Sequence, residues 1–500
     1  MKRNQPIFLI FNLTLFLVLS GCGPDETVAV PTAIIGSEIE LIPRATAVPT
    51  PQPDTQSTPT LAVPQAEIAP SETIPVNFNS IGDPYAPELG NLGYDVLAYD
   101  IRLAVDPALA EIDGGVLITA VSTQPLSQFS LDFIGYDISE LLINDVPAAF
   151  TREDGKIIID TPQTIPLGDQ FVTEIRYSGS PLAEPSRFVR FAPSLGLYFV
   201  DNATAYILSE PDGTRYWLPN NDHPRDKALF RFEITVAEGL TAVANGILRD
   251  VIEEDGQKTF VWEHENLMAP YLATIAVGEY IRVDDQSPNG VPIRHYVFPE
   301  NRESFARASS ITGEAIDWMS DLFGPYPFET FGFVTADAPG ASLETQTMVI
   351  LSTRMIGQVT VIHEIAHMWF GNWVSLNSWE EMWRNEGFAT YISLMWEHRN
   401  DPEGLELEME AVKSAVEENG PGFPLGAPPP ELLFSFNTYF GGALMVHELR
   451  QTVGDDAFFG GLKLYFERYG GGTATDAEFQ AVMEEVYGQS LNAFFIEWLE

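Results

Sequence analysis

The sequence predicts an α+β multidomain protein, with an N-terminal β-sandwich-like domain followed by a mainly helical one. Three observations carry this reading. From about Tyr94 to Val297 the chain runs in alternating or β-branched segments. From about Glu300 onward, helix start and stop signals replace them. The 500 residues also exceed one ordinary core, so two or three domains are expected. Hydrophobic residues make up 45% of the chain and aromatics 12%, which excludes wholesale disorder. The formal charge of −45 excludes another class, because such a surface repels nucleic-acid phosphates.

Residues 1–22 read as a lipoprotein signal peptide. Lys2 and Arg3 precede an apolar run from Ile7 to Leu19 that only Asn12 and Thr14 interrupt. The run is short for a membrane span but suits a secretory signal core. It ends in Leu19-Ser20-Gly21-Cys22, which resembles the lipobox of bacterial lipoproteins. Cys22 is the only cysteine, so it forms neither an internal disulfide nor a thiolate metal site. Lipidation of Cys22 is expected, holding the protein on the extracytoplasmic face of a cell membrane. Residues 23–80 form a proline-rich linker. Ten prolines fall there, and Pro49-Thr50-Pro51-Gln52-Pro53 has no hydrophobic periodicity.

The β domain is expected over residues 81–290. Tyr94 to Val105, Val116 to Val121, Lys156 to Ile159 and Phe230 to Val236 read as strands. Asp154-Gly155, Asp255-Gly256 and Asn289-Gly290 supply hairpin-type turns. Residues 291–500 form the second domain, with one short apolar strand at Met348 to Leu351. Ser378-Trp379-Glu380-Glu381 and Thr475-Asp476-Ala477-Glu478 look like capping boxes, each opening a helix. Asp401-Pro402 and Gly470-Gly471-Gly472 separate helices.

The chemistry centres on His363-Glu364-Ile365-Ala366-His367. On a helix, positions i and i+4 share one face, so both imidazoles can reach one ion. Val361, Ile362, Ile365, Ala366, Trp369 and Phe370 make that helix apolar nearly all round and predict burial, with Gly371 ending it. A catalytic zinc site needs three protein ligands and an open position. His398, His447 and several carboxylates are available as the third. Glu386 is the choice: it lies nineteen residues after His367, among the apolar Trp383, Phe388 and Ala389. A carboxylate buried there is costly unless it meets a cation. Glu364, between the histidines, is positioned to take a proton from the attacking water.

With these residues in view, the stretch Val361 to Tyr391 resembles the signature of the zinc aminopeptidases related to aminopeptidase N and leukotriene A4 hydrolase. It carries the histidine-glutamate motif, then Trp369-Phe370-Gly371-Asn372, then Trp383-Arg384-Asn385-Glu386-Gly387-Phe388-Ala389. Glu210 to Pro219 resembles the family stretch that sends a Gln or Glu from the β domain into the active site. Ala341-Ser342-Leu343-Glu344-Thr345 sits where the family carries Gly-x-Met-Glu-Asn. Tyr439 sits where it carries a tyrosine three residues before a helical glycine. The likeness extends over about Tyr94 to Glu500. It implies a saddle-like β domain on a thermolysin-like catalytic domain, one zinc per chain, and removal of N-terminal residues from peptides. It also implies that Glu344 and Glu210 bind the free α-amine, that Ala341 lines the substrate, and that Tyr439 donates to the oxyanion. A cationic amine between paired carboxylates in a partly desolvated cleft is held strongly, which fixes the bond that is cut.

The pattern departs from the family in places. Ala341, Leu343 and Thr345 replace the usual glycine, methionine and asparagine. Leu for Met keeps volume, whereas Ala for Gly restricts the backbone beside the substrate. The segment from Glu344 to His363 is shorter than in many relatives, and Gly441 stands where lysine is common. Many relatives continue past the position of Glu500 into a helical domain that roofs the site, so a cleft that is more open, or closed by another partner, is expected. Two other readings compete: a zinc endopeptidase of the same fold, and a non-catalytic surface binding protein that kept the scaffold.

Overall fold

A computed structural model describes residues 80–500, apart from residues 183, 420 and 421. Cys22, the signal segment and the proline-rich stretch up to residue 79 lie outside the described residues.

The β region is built on a long hairpin. Strand Tyr94–Asp106 pairs antiparallel with Glu111–Ser122, and a bulge falls between Val96 and Ala98. The bulge shifts the inward parity by one. Tyr94 and Val96 point to the core before it, and Tyr99, Ile101, Leu103 and Val105 after it. On its other edge the first strand pairs in parallel with Ala228–Ala237, making a mixed eight-stranded sheet among the described residues. Asp154-Gly155 and Asp255-Gly256 both take positive φ at each residue, as two-residue hairpin turns require. Asn289-Gly290 sits in a longer connection closed by Ser287 N–H on the Val291 carbonyl.

The second sheet orders strands Ile281–Gln286, Pro292–Val297, Phe333–Ala336 and Val349–Ser352. It therefore begins on the N-terminal side of residue 290. Helices α1 (Arg302–Ser309) and α2 (Thr312–Phe323) lead to α3 (Gln358–Ala366), which carries the histidine pair. After it come α4 (Trp383–Glu397), α5 (Pro402–Asn419), α6 (Gly442–Val453), α7 (Asp455–Tyr469), α8 (Asp476–Tyr487) and α9 (Asn492–Leu499).

Two boundaries differ from expectation. Helix α3 stops with His367 as its C-cap rather than running to Gly371. The chain then turns through Phe370, and Gly371 takes φ +111° with its N–H on the Val374 carbonyl. A Cβ at Gly371 would lie 2.9 Å from Asn385 Nδ2, so both the conformation and the close approach call for glycine. The Ser378 box opens a single 3-10 turn, Trp379–Glu381, before α4 begins. The Glu381 carboxylate accepts from the Ser378 and Asn377 N–H groups. The Thr475 box opens α8 as expected.

The apolar core of the β region includes Leu343, Met348, Trp379 and Met382 from the helical region. The segments flanking Glu344 and preceding Glu386 thus pack on β-domain side chains. A second core surrounds α3 and α4.

Candidate active site

Helix α3 presents His363 and His367 one turn apart, and α4 brings Glu386 in its first turn. His363 Nε2 lies 3.1 Å from Glu386 Oε2 and 3.1 Å from His367 Nε2, and His367 Nε2 lies 3.6 Å from the same oxygen. Ligand bonds of about 2.0–2.1 Å in a tetrahedron put ligand atoms about 3.4 Å apart, so the triangle fits one zinc ion. His367 Nδ1 sits 3.1 Å from the Phe370 carbonyl. Donation to that carbonyl fixes the ring and leaves the Nε2 lone pair facing the triangle. The turn after α3 exists in part to supply this acceptor.

Around the triangle lie more carboxylates than the described residues balance with cations. Oxygens of Glu344 and Glu364 and a nitrogen of His367 all fall within 4.8 Å of one another, as do oxygens of Glu210, Glu344 and Glu386. All four glutamates are buried. Glu210 Oε1 and Glu344 Oε1 have no hydrogen-bond partner among the described residues. Leaving buried acceptors unpaired is costly, so these oxygens are arranged for an incoming donor.

The electrostatics agree. Burial, then the charges of Glu344, Glu386 and Glu364, push the Glu210 carboxyl well above the usual range. Burial likewise raises Glu364, against the pull of His367 and with the push of Glu344 and Glu386. Burial alone would lower His367, but Glu344 and Glu386 reverse that and raise it. Glu386 is held low despite its burial, by His367 and by hydrogen bonds from both histidines. A cation is what such a cluster lacks.

Tyr439 rises from the π-helical turn Asn437–Gly441 that leads into α6. Its ring stacks on His363, with centroids 6.0 Å apart and an interplanar angle of 17°. Burial and the four glutamates hold the phenol protonated, with its pKa well above the ordinary value. A donor is therefore kept beside the His363–His367–Glu386 triangle.

The structure thus gathers His363, Glu364, His367, Glu386, Glu344, Glu210 and Tyr439. Ala341 lies half-buried, three residues before Glu344. Three residues near the site have no role in the sequence reading. Tyr271 is buried with its hydroxyl beside the Asn385 amide and feels the charges of Glu344, Glu210 and Glu386. Asn372 donates Nδ2 to the Glu344 carbonyl at 2.7 Å. Lys227 donates Nζ to the Asn372 carbonyl at 2.9 Å. A lysine at the mouth of an apolar strand is the one local signal for Lys227, and Tyr271 has none.

Comparison with known proteins gives a consistent picture. The profile of the Peptidase M1 N-terminal domain matches residues 96–272, and that of the Peptidase family M1 domain matches residues 311–498. Aminopeptidase M1-B of Oryza sativa subsp. japonica is 26% identical over 441 residues, covering 80% of this chain and 49% of that protein. The chain spans about half the length, or less, of the curated relatives it matches. Among solved structures, the M1 zinc metallopeptidase from Deinococcus radiodurans superposes with a TM-score of 0.78 at 29% identity, covering 84% of this chain and 97% of that one. A mutant of it bound to a Tyr-Ser-Ala substrate superposes at 0.76 with 28% identity and the same coverage.

Proposed function

The chain belongs to peptidase family M1, and from that premise we propose that it is a zinc-dependent aminopeptidase that removes N-terminal residues from peptides. The observation that carries the reading is the pair of buried, unpartnered oxygens on Glu210 and Glu344, next to a histidine–histidine–glutamate triangle. A non-catalytic scaffold has no use for that uncompensated charge. The aminopeptidases among its relatives and a structural neighbour bound to a tripeptide support the same activity.

His363, His367 and Glu386 would hold the zinc, one ion per chain. Bound there, zinc supplies Lewis acidity toward the scissile carbonyl and lowers the pKa of water. Glu344 and Glu210 receive the α-ammonium, which supplies the donors their Oε1 atoms lack. That anchoring fixes the first peptide bond over the reacting atoms. Glu364 takes the proton of the attacking water and returns it to the leaving amine. The Tyr439 hydroxyl donates to the oxygen that becomes negative on the scissile carbonyl.

The same proposal sets the enzyme on the outer face of a bacterial membrane, lipidated at Cys22 and held off by the proline-rich stretch. The support is the basic–apolar–lipobox order of Lys2, Arg3, Ile7 to Leu19 and Cys22. No helix among the described residues is long and apolar enough to cross a membrane.

The test is hydrolysis of a panel of aminoacyl p-nitroanilides and short peptides, each with a free or an acetylated N-terminus, with and without a chelator. Cleavage confined to free amines and abolished by chelation is expected. Equal cleavage of acetylated peptides would replace this reading with the endopeptidase one, and activity that survives chelation would remove zinc from it.

A further inference from the structure

Lys227 begins the strand Ala228–Ala237 from just outside it and points into the helical region rather than into its own sheet. It is only 7% exposed. Its Nζ donates to the Asn372 carbonyl at 2.9 Å and the Trp373 carbonyl at 3.2 Å. Burial alone acts on its charge, pushing the amine down to about 7. A long cationic side chain is thus desolvated to hold two carbonyls of the turn that follows α3. An apolar residue could fill that space without the desolvation cost.

The loop it grips connects the metal helix to the amine site. Asn372 is fully buried. Its backbone N–H donates to the His367 carbonyl at 3.0 Å, and its Nδ2 donates to the Glu344 carbonyl at 2.7 Å. The residues that follow Glu344 are also fastened from the β domain. Asn245 Nδ2 donates to the Gln346 carbonyl at 2.7 Å, and Gly246 N–H to Thr347 Oγ1 at 2.8 Å. Gln346 Nε2 meets His264 Nε2 at 2.9 Å. Those contacts fix residues 346 and 347. The Lys227–Asn372 chain reaches the peptide of Glu344 itself.

We propose that Lys227 and Asn372 form a positioning relay. Lys227 fixes the Asn372 peptide from the β domain, and the Asn372 amide fixes the Glu344 carbonyl, setting the Glu344 carboxylate for the substrate α-amine. This rests on the aminopeptidase reading and adds to it: anchoring of the amine is set by a β-domain lysine that touches neither metal ligand nor substrate. Glu344 has to stand within a few tenths of an ångström of its place to share an ammonium with Glu210.

The experiment compares wild type, Lys227→Met, Asn372→Ala and the double variant on the best aminoacyl p-nitroanilide. Each single variant is expected to raise KM about tenfold with kcat within about threefold of wild type, the signature of lost uniform binding. Zinc content stays at the wild-type level. Inhibition by acetohydroxamate, which binds zinc and carries no α-amine, also stays unchanged. Because the two residues act in series, the double variant matches the larger single effect. Asn372→Ala keeps the backbone carbonyl that Lys227 grips, and it decides the matter if Lys227→Met does not fold. An unchanged KM in Asn372→Ala overturns the relay. So does loss of acetohydroxamate inhibition in step with the loss of substrate binding, because that marks a general collapse of the site. Wild type without activity on any free-amine substrate defeats the aminopeptidase reading instead, so the two failures are distinct.

Discussion

At the scale of single residues, the roles proposed for Glu364 and Tyr439 separate metal binding from catalysis. Neither belongs to the His363–His367–Glu386 triangle. Glu364→Gln keeps the shape of a buried side chain and removes the group that takes a proton. Its kcat is expected to fall roughly 10²–10⁴-fold, the usual worth of a positioned base, with zinc content unchanged. Tyr439→Phe keeps the ring on His363 and deletes the donor. There kcat should fall about 10²–10³-fold with little change in KM, as for loss of one oxyanion donor. Steady-state kinetics beside zinc analysis checks both, and a Glu364→Gln enzyme with wild-type turnover would remove its role as base. The motif residues were legible in the sequence because helical spacing alone aims both histidines at one point. Glu386 was legible because a carboxylate among Trp383, Phe388 and Ala389 needs a reason. Tyr271 and Lys227 were not legible. What gives them meaning is buried polar company that lies far away along the chain.

At the scale of elements, α4 and α6 cross at two glycines. A Cβ on Gly387 would sit 2.7 Å from both Cα and C of Gly442. Those are backbone atoms, so one helix has to move, and Glu386 is the residue just before Gly387. Gly387→Ala is expected to destabilise the fold by about 1–3 kcal/mol through overpacking and to weaken zinc binding together with it. Gly460, inside α7, is the control. Its nearest neighbour is Val486 Cγ1 at 3.4 Å, so alanine fits, and Gly460→Ala is expected to gain roughly 0.4–1 kcal/mol. Thermal melts and a zinc competition assay read both; a Gly387→Ala protein with wild-type zinc affinity would show that the crossing does not position Glu386. Element type was well written into the sequence: Asp154-Gly155 and Asp255-Gly256 form the expected turns, and Thr475 caps α8. Boundaries were written less well, each for a local reason. The bulge between Val96 and Ala98 reverses strand parity without a sequence mark. Helix α3 ends at His367 because its ring and the Phe370 carbonyl pair through a turn, a contact that apolar periodicity does not record.

At the scale of the whole molecule, the residues just after the proline-rich stretch tie the β domain to the helix that carries Glu386. Asp83 is fully buried. Its Oδ2 meets His223 Nε2 at 3.0 Å in the β domain and accepts from Trp379 N–H at 2.9 Å in the turn before α4. Oδ1 accepts from the Tyr85 and Ala86 N–H groups. Beside it, Arg225 Nε donates to the Asn377 carbonyl at 2.6 Å and Nη1 to the Ile81 carbonyl at 3.2 Å. Burial would raise the Asp83 carboxyl, but the hydrogen bonds from His223 and Trp379, the His223 charge and the Ala86 N–H outweigh it and hold the carboxyl at about 2, from an ordinary 3.8. A folded-state pKa below the unfolded one means that the carboxylate stabilises the fold at pH above its unfolded value. That stabilisation is lost as pH falls through about 2. At roughly 1.4 kcal/mol per pKa unit the pair of values is worth about 2 kcal/mol near neutrality. Asp83→Asn is therefore expected to cost about 2 kcal/mol at pH 6, and the part of that gap due to the Asp83 carboxylate falls by roughly half by pH 3, while His223, lowered by burial and raised by Asp83, titrates in the opposite sense. Urea denaturation of both proteins across that range measures it. Taking the difference also cancels Asp222 and Asp226, whose raised values of about 8 and about 7 act in the opposite sense. A gap near zero at pH 6 would mean that the charge of Asp83 contributes nothing. The tie between the N-terminal segment and the Glu386 helix would then rest on backbone contacts alone.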